Sequence, residues 1–119
     1  MTKAGDVGRD AENKVRDYLI EQGYEFSKRI RLAGEFDEGD VVLGDRYPVA
    51  IEVKGGQGSL KNAHSHCREL MDEIVNADAE TGFTVIKKAR SAKVSEWLVV
   101  IPMGEYVENQ LKVLYPPGR

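Results

Sequence analysis

Apolar and polar residues follow two rhythms along this chain, and the points where the rhythm changes mark out its elements. From about Val7 to Gln22 the apolar residues Ala11, Val15, Tyr18 and Leu19 recur at helical spacing, and Gly23 stands where such a helix would stop. "YEFSKRIRL" then sets Tyr24, Phe26, Ile30 and Leu32 against Glu25, Lys28, Arg29 and Arg31, which predicts a first strand with a basic exposed side and a slip in register near Ser27. "DVVL" and "VAIEV" are two further strands, joined by a turn through "GDRYP". From Leu60 the set Leu60, Ala63, Cys67, Leu70, Met71, Ile74 and Val75 keeps a helical stripe, which predicts a second helix. "FTVIKK" and "WLVVIP" read as the last two strands and "GEYVENQLKVL" as a short terminal helix. The order αβββαββ(α) implies an α/β (α+β) fold, a mixed central sheet flanked by helices.

The hairpin "GDVVLGDRYPVAIEVKGG" carries Asp40, Glu52 and Lys54 where charge is costly. Centred on Arg46, its turn pairs Val42 with Ala50 and Asp40 with Glu52. Side chains alternate along a strand, so Val41, Leu43, Val49, Ile51 and Val53 share an apolar face, and Asp40, Val42, Ala50, Glu52 and Lys54 share the other. Opposed side chains lie about 5 Å apart at the β-carbon, and two carboxylates there repel unless a positive charge intervenes. A divalent cation such as Mg²⁺, which takes hard oxygen ligands, would resolve that conflict. Lys54, two residues on, could orient an attacking water or stabilise charge developing on phosphorus. The plainer alternative is a solvated face, on which Lys54 forms an ordinary salt pair.

At 119 residues the chain has room for one domain and one core, so an active site on it must be compact. A hydrophobic content of 41% and a charged content of 31% are those of an ordinary globular protein. Cys67 is the sole cysteine, which excludes an intramolecular disulfide and a thiolate cage. "MTKAGDVGRD" lacks the apolar stretch of a signal peptide, and no apolar run reaches bilayer-spanning length; the expectation is a cytoplasmic protein without a membrane partner. A net charge of −3 argues against a generic nucleic-acid coat. Local clusters, "SKRIR" and "KKARSAK", still offer phosphate contacts.

An acid at a strand start followed, on the next strand, by Glu52-Val53-Lys54 resembles the signature of the PD-(D/E)xK nuclease superfamily, whose core also runs helix, three strands, helix, strand. Within it, "GRDAENKVRDYLIEQGYEFSKRIRL" looks like the opening of Holliday-junction resolvases of the archaeal type and their phage relatives: Gly8, Glu12, Gly23, Tyr24, Lys28, Arg29 and Arg31 occupy matching places. "GFTVIKKAR" with "WLVVIP" is similar to their last strand pair, so the resemblance covers roughly residues 5–105. Gly39 departs from the proline usual before the first acid. The resemblance implies a restriction-endonuclease-like fold. It further implies Glu12, Asp40 and Glu52 as carboxylates around Mg²⁺ or Mn²⁺, the Val53 carbonyl as a further ligand, and Lys54 beside the nucleophilic water. Arg9, Lys28, Arg29, Arg31, Gln57, Lys88 and Arg90 would contact DNA.

The expected activity is that of a structure-selective endodeoxyribonuclease resolving four-way junctions, active as a homodimer because two symmetric nicks need two sites. Alternatives are a restriction- or repair-type nuclease on the same fold, or a non-catalytic DNA-binding or partner-binding module. Glu12 in the first turns of a helix is also favourable against the macrodipole without any metal. "HSHC" suggests no zinc site, since His64 and His66 do not share a helix face; the pattern makes Cys67 a core thiol flanked by surface imidazoles. Trp97 and Phe83 are assigned to the core.

Overall fold

The computed structural model describes the backbone of residues 4–24, 27–28, 31–32, 35–36, 40–43, 49–56, 60–91 and 93–118, and the side chains of residues 10–24, 49–56, 60–91 and 93–118. Its elements are α1 (Ala4–Glu21), β1 (Ser27–Lys28), β2 (Arg31–Leu32), β3 (Glu35–Phe36), β4 (Asp40–Leu43), β5 (Val49–Lys54), α2 (Ala63–Asn76), β6 (Thr81–Ile86), a 3₁₀ turn (Val94–Glu96) and β7 (Leu98–Val100). A C-terminal helical run follows: α3 (Met103–Tyr106), a π-helical turn (Val107–Leu111) and α4 (Lys112–Leu114). The fold is mixed α+β. Its main sheet is open, in the order β1–β4–β5–β6–β7, with β5 and β6 parallel and the other neighbours antiparallel.

α1 ends where the sequence suggests. Gly23 adopts φ 102°, a left-handed conformation that costs glycine little, and the Tyr24 amide donates back to the Leu19 carbonyl at 3.1 Å. Of the predicted first strand the structure describes two segments in different sheets: β1 joins the main sheet beside β4, and β2 pairs with β3, an element the sequence pattern does not reveal.

The hairpin has the register its hydrophobic pattern demands: Asp40 opposes Glu52, Val41 opposes Ile51, and Val42 opposes Ala50. β5 nevertheless has no wet side. Ile51 and Val53 pack with Ala11 and Val15 of α1, with Val85, and with Trp97. On the opposite face Ala50 packs under Leu70 and Ile74 of α2. A strand with neighbours on both edges and a helix over each face is buried throughout, as in parallel sheets.

α2 begins at Ala63 rather than Leu60, which is 59% exposed, and its inward residues are His66, Leu70, Glu73 and Ile74. Met71 and Val75 of the expected stripe face outward. The core-facing arc is rotated toward two polar residues, so His66 is buried rather than a surface imidazole, while Cys67 is only half-buried. Close approach of α2 to the sheet depends on Gly82. A β-carbon there would collide with the Ala50 carbonyl oxygen and crowd Leu70 at 3.0 Å and Ile74 at 3.1 Å. β6 accordingly starts at Thr81, two residues before the predicted strand. Trp97 is in the core as expected, donating from Nε1 to the Ser91 carbonyl at 3.1 Å, and Phe83 packs against the same cluster.

Candidate active site

Three neighbouring strands place Asp40, Glu52 and Thr84 in one row, since Glu52 pairs with Asp40 on one side and with Thr84 on the other. The row lies on the face toward α2, the face of Ala50. Glu52 is 4% exposed, and a carboxylate so placed is costly unless a cation meets it. Lys54, one pleat further on, supplies that cation with Nζ at 2.9 Å from Glu52 Oε1. From above, α2 contributes Glu69, whose Oε2 accepts from the same Nζ at 2.6 Å.

The Lys54 ammonium is thus held between two carboxylates. Burial alone would lower its pKa, but the hydrogen bonds to Glu52 and Glu69 outweigh burial and hold it above the ordinary lysine range. Lys54 is therefore a fixed positive charge at neutral pH and not a proton acceptor. For Glu69, burial pushes the carboxyl up, yet Lys54, with a smaller contribution from His66, brings it below the ordinary carboxylate range. Two carboxylates against one ammonium leave one negative charge over, and Asp40 stands at the register position opposite Glu52. That surplus, presented by hard oxygen donors, suits a divalent cation.

Glu12 is 1% exposed and sits on α1 beside Ala11, so it approaches the sheet from the layer opposite α2. Its helix packs on β4 and β5. Among the described residues no three His, Cys, Asp or Glu side chains gather as a metal site, and the Asp40 side chain is outside that set. Val53 stands one residue past the last β4–β5 pair, where its β4-side neighbour would be Gly39, outside the described residues.

Comparison with protein-family models, curated proteins and solved structures gave no match.

Of the residues expected to touch DNA, Arg9 lies in α1 and Lys28 in β1 opposite Val42, next to the hairpin. Arg31 lies in β2, in the separate small sheet opposite Phe36. Arg29 and Gln57 lie outside the described residues. Lys88 is exposed with Nζ at 3.8 Å from Glu96, and Arg90 is exposed at φ 61°. Sequence reasoning missed Glu69, His66 and Thr84. The hydroxyl of Thr84 and both ring nitrogens of His66 are buried without a hydrogen-bond partner. The signal for Glu69 was indirect: a lysine on the inner face of β5 calls for an acid from whichever element covers it, and that element is the next helix.

Proposed function

We propose that this chain is a metal-dependent endonuclease of restriction-endonuclease-like fold that hydrolyses phosphodiesters of branched DNA, most specifically four-way junctions, and acts as a homodimer. The observation that carries the reading is the pairing of Asp40 with Glu52 across β4–β5, with Lys54 Nζ at 2.9 Å from the buried Glu52 carboxylate. Asp40 and Glu52 would hold Mg²⁺ or Mn²⁺ with the Val53 carbonyl as a further donor, while Glu12, whose helix packs on the opposite face of the sheet, is left out of that ligand set. When bound, the ion lowers the pKa of a coordinated water and neutralises phosphate charge. Lys54 presents a permanent positive charge beside that position, where it holds the attacking water and offsets the charge growing on the phosphorane oxygens. Glu69 keeps the Lys54 side chain in place and is a positioning residue.

The test is nicking of synthetic junction, flap and linear duplex substrates with Mg²⁺. Wild type should nick the junction, and Asp40→Ala and Glu52→Gln should each be slower by at least 10²-fold, the order seen when an electrostatic catalytic group is removed. Wild type leaving every substrate intact, or Asp40→Ala cutting like wild type, would overturn the proposal.

One observation favours a second reading. Glu52 and Glu69 already neutralise Lys54 without any ion, as a structural cluster in a non-catalytic binding module would do. That reading predicts a melting temperature indifferent to Mn²⁺, because an ion bound to the native state raises stability.

A further inference from the structure

A cavity of about 830 Å³ opens at the C-terminal ends of the parallel strands β5 and β6, starting at Gly55 immediately beyond Lys54. The Lys87 amide donates to the Lys54 carbonyl at 3.0 Å, which ties the two strand ends together at its mouth. Open α/β sheets take ligands at the carboxyl ends of parallel strands. Neither Glu52 nor Glu69 lines this cavity, so it is a neighbour of the proposed active site rather than part of it.

Its walls have two chemistries. Lys61, Lys87, Lys88 and Arg90 bring four cations, against Glu96 as the single acid. Two of the cations are engaged locally, Lys87 over the Trp97 ring at 5.9 Å and Lys88 beside Glu96 at 3.8 Å. Lys61 and Arg90 have no ion-pair partner among the described residues. Arg90 is moreover held at φ 61°, a left-handed conformation that a side chain disfavours and that recurs where function requires it. Between the cations lie Leu60, 59% exposed, Leu98, 49% exposed, and Ile86. Leu60 and Leu98, left in water beside cations that have no ion-pair partner among the described residues, match a ligand with an anionic end and an apolar body, while Ile86, 3% exposed, is largely covered by the core. The volume exceeds what a phosphate alone would fill and falls in the range of small-molecule sites, roughly 300–1,000 Å³.

We infer that this cleft is a nucleotide subsite: it seats an unstacked nucleotide of the DNA strand next to the scissile phosphate, with its phosphate on Lys61 and Arg90 and its base against Leu60, Ile86 and Leu98. The inference rests on the nuclease reading for its placement beside Lys54. A base inside a duplex cannot enter a concave apolar wall, so the nucleotide must leave its helix, which costs least where stacking is interrupted, as at a branch point. Selectivity for branched over linear DNA follows from that wall.

The experiment uses the full chain with Ca²⁺ in place of Mg²⁺ and a four-way junction bearing 2-aminopurine at the branch. Wild type should raise the 2-aminopurine emission on binding, as the base leaves the stack. Lys61→Ala with Arg90→Ala should weaken binding at least 10-fold and flatten its salt dependence, while Leu98→Asp should remove the emission change; melting curves check that each variant folds. The mononucleotide dAMP should displace the DNA far better than inorganic phosphate does. Binding of the double variant within twofold of wild type, emission that stays quenched in wild type, or equal competition by dAMP and phosphate would each overturn the subsite. Glu52→Gln separates the two proposals. Cleavage abolished in Glu52→Gln but unaltered in the Lys61 and Arg90 double variant sinks the cleft alone. Cleft-dependent binding and emission in a protein that cuts nothing sinks the nuclease reading alone.

Discussion

At the scale of single residues, Lys54 is the one on which the others depend. Removing it leaves Glu52 buried without its cation, and breaking a buried pair on one side typically costs about 3–5 kcal/mol. Lys54→Met should therefore lower the unfolding free energy by about 3 kcal/mol in urea melts. Adding Glu52→Gln should recover much of the loss, because the stranded charge is gone; a double variant no better than the single one would show that Lys54 acts by packing alone. Glu69 behaves differently, since its side chain is 51% exposed and the pair is partly screened. Its carboxyl is held below the usual 4.5 by Lys54 in the folded protein, so its contribution is present above that value and lost as pH falls through the lowered one. Wild type should lose melting temperature more steeply than Glu69→Gln below about pH 4.5, with the two curves parallel near neutrality; coincident slopes at low pH would remove the Glu69 contribution. The opposition of Asp40 and Glu52 was legible in the sequence because alternation fixes register. Glu69 was not, because in "RELMDE" nothing marks one acid as inward, and the rotation of α2 is set by its packing.

At the scale of elements, the docking of α2 on β5 and β6 brings Glu69 to Lys54. Leu70 and Ile74 drive it, each contributing roughly 1.5–3 kcal/mol on full burial, and Gly82 leaves the room for them. The obstacle to a larger residue at Gly82 is a backbone oxygen, which cannot turn aside as a side chain can. Gly82→Ala should cost at least the 1–3 kcal/mol usual for overpacking, read as a lower denaturation midpoint with an unchanged m-value. It should also weaken the Lys54–Glu69 contact, visible as a loss of the pH difference between wild type and Glu69→Gln. An unaltered midpoint would mean that α2 sits farther from the sheet. The helical period announced α2, but its buried arc misled, since apolar Leu60, Met71 and Val75 stand outward while polar His66 and Glu73 go in. Periodicity reports the average side of a helix that is apolar; where the covered face carries chemistry, polar residues displace apolar ones and the pattern rotates. That β1 and β2 belong to different sheets was hidden for a related reason, because alternation says which face a residue takes and not which strand its segment pairs with.

At the scale of the whole molecule, a net charge of −3 coexists with a cleft whose described lining carries four cations against one acid, so under the proposed function a DNA backbone would meet local attraction there in spite of the overall negative charge. The far end of the chain presents the opposite character. Beyond the edge strand β7, the C-terminal helical run is tied to the sheet by the Thr81 hydroxyl donating to Glu105 at 3.1 Å, and it leaves Met103, Val113, Leu114 and Tyr115 68–76% exposed. So many large apolar side chains on one short run are costly in water, and β7, which pairs only with β6 among the described residues, adds an open strand edge. Two nicks related by a twofold axis need two copies of the site, and an interface between identical chains must be self-complementary, which an apolar run beside a strand edge permits. The chain should therefore sediment as a dimer at micromolar concentration. Val113→Lys with Leu114→Lys should shift it to a monomer with an unchanged circular dichroism spectrum, since neither residue touches the core formed by Ile51, Val53 and Trp97. In the monomer, single nicks of a junction should persist while paired nicks within one binding event disappear. A wild-type mass of one chain at every accessible concentration, or paired nicking by the monomeric variant, would remove the dimer from the mechanism and leave each site to act alone.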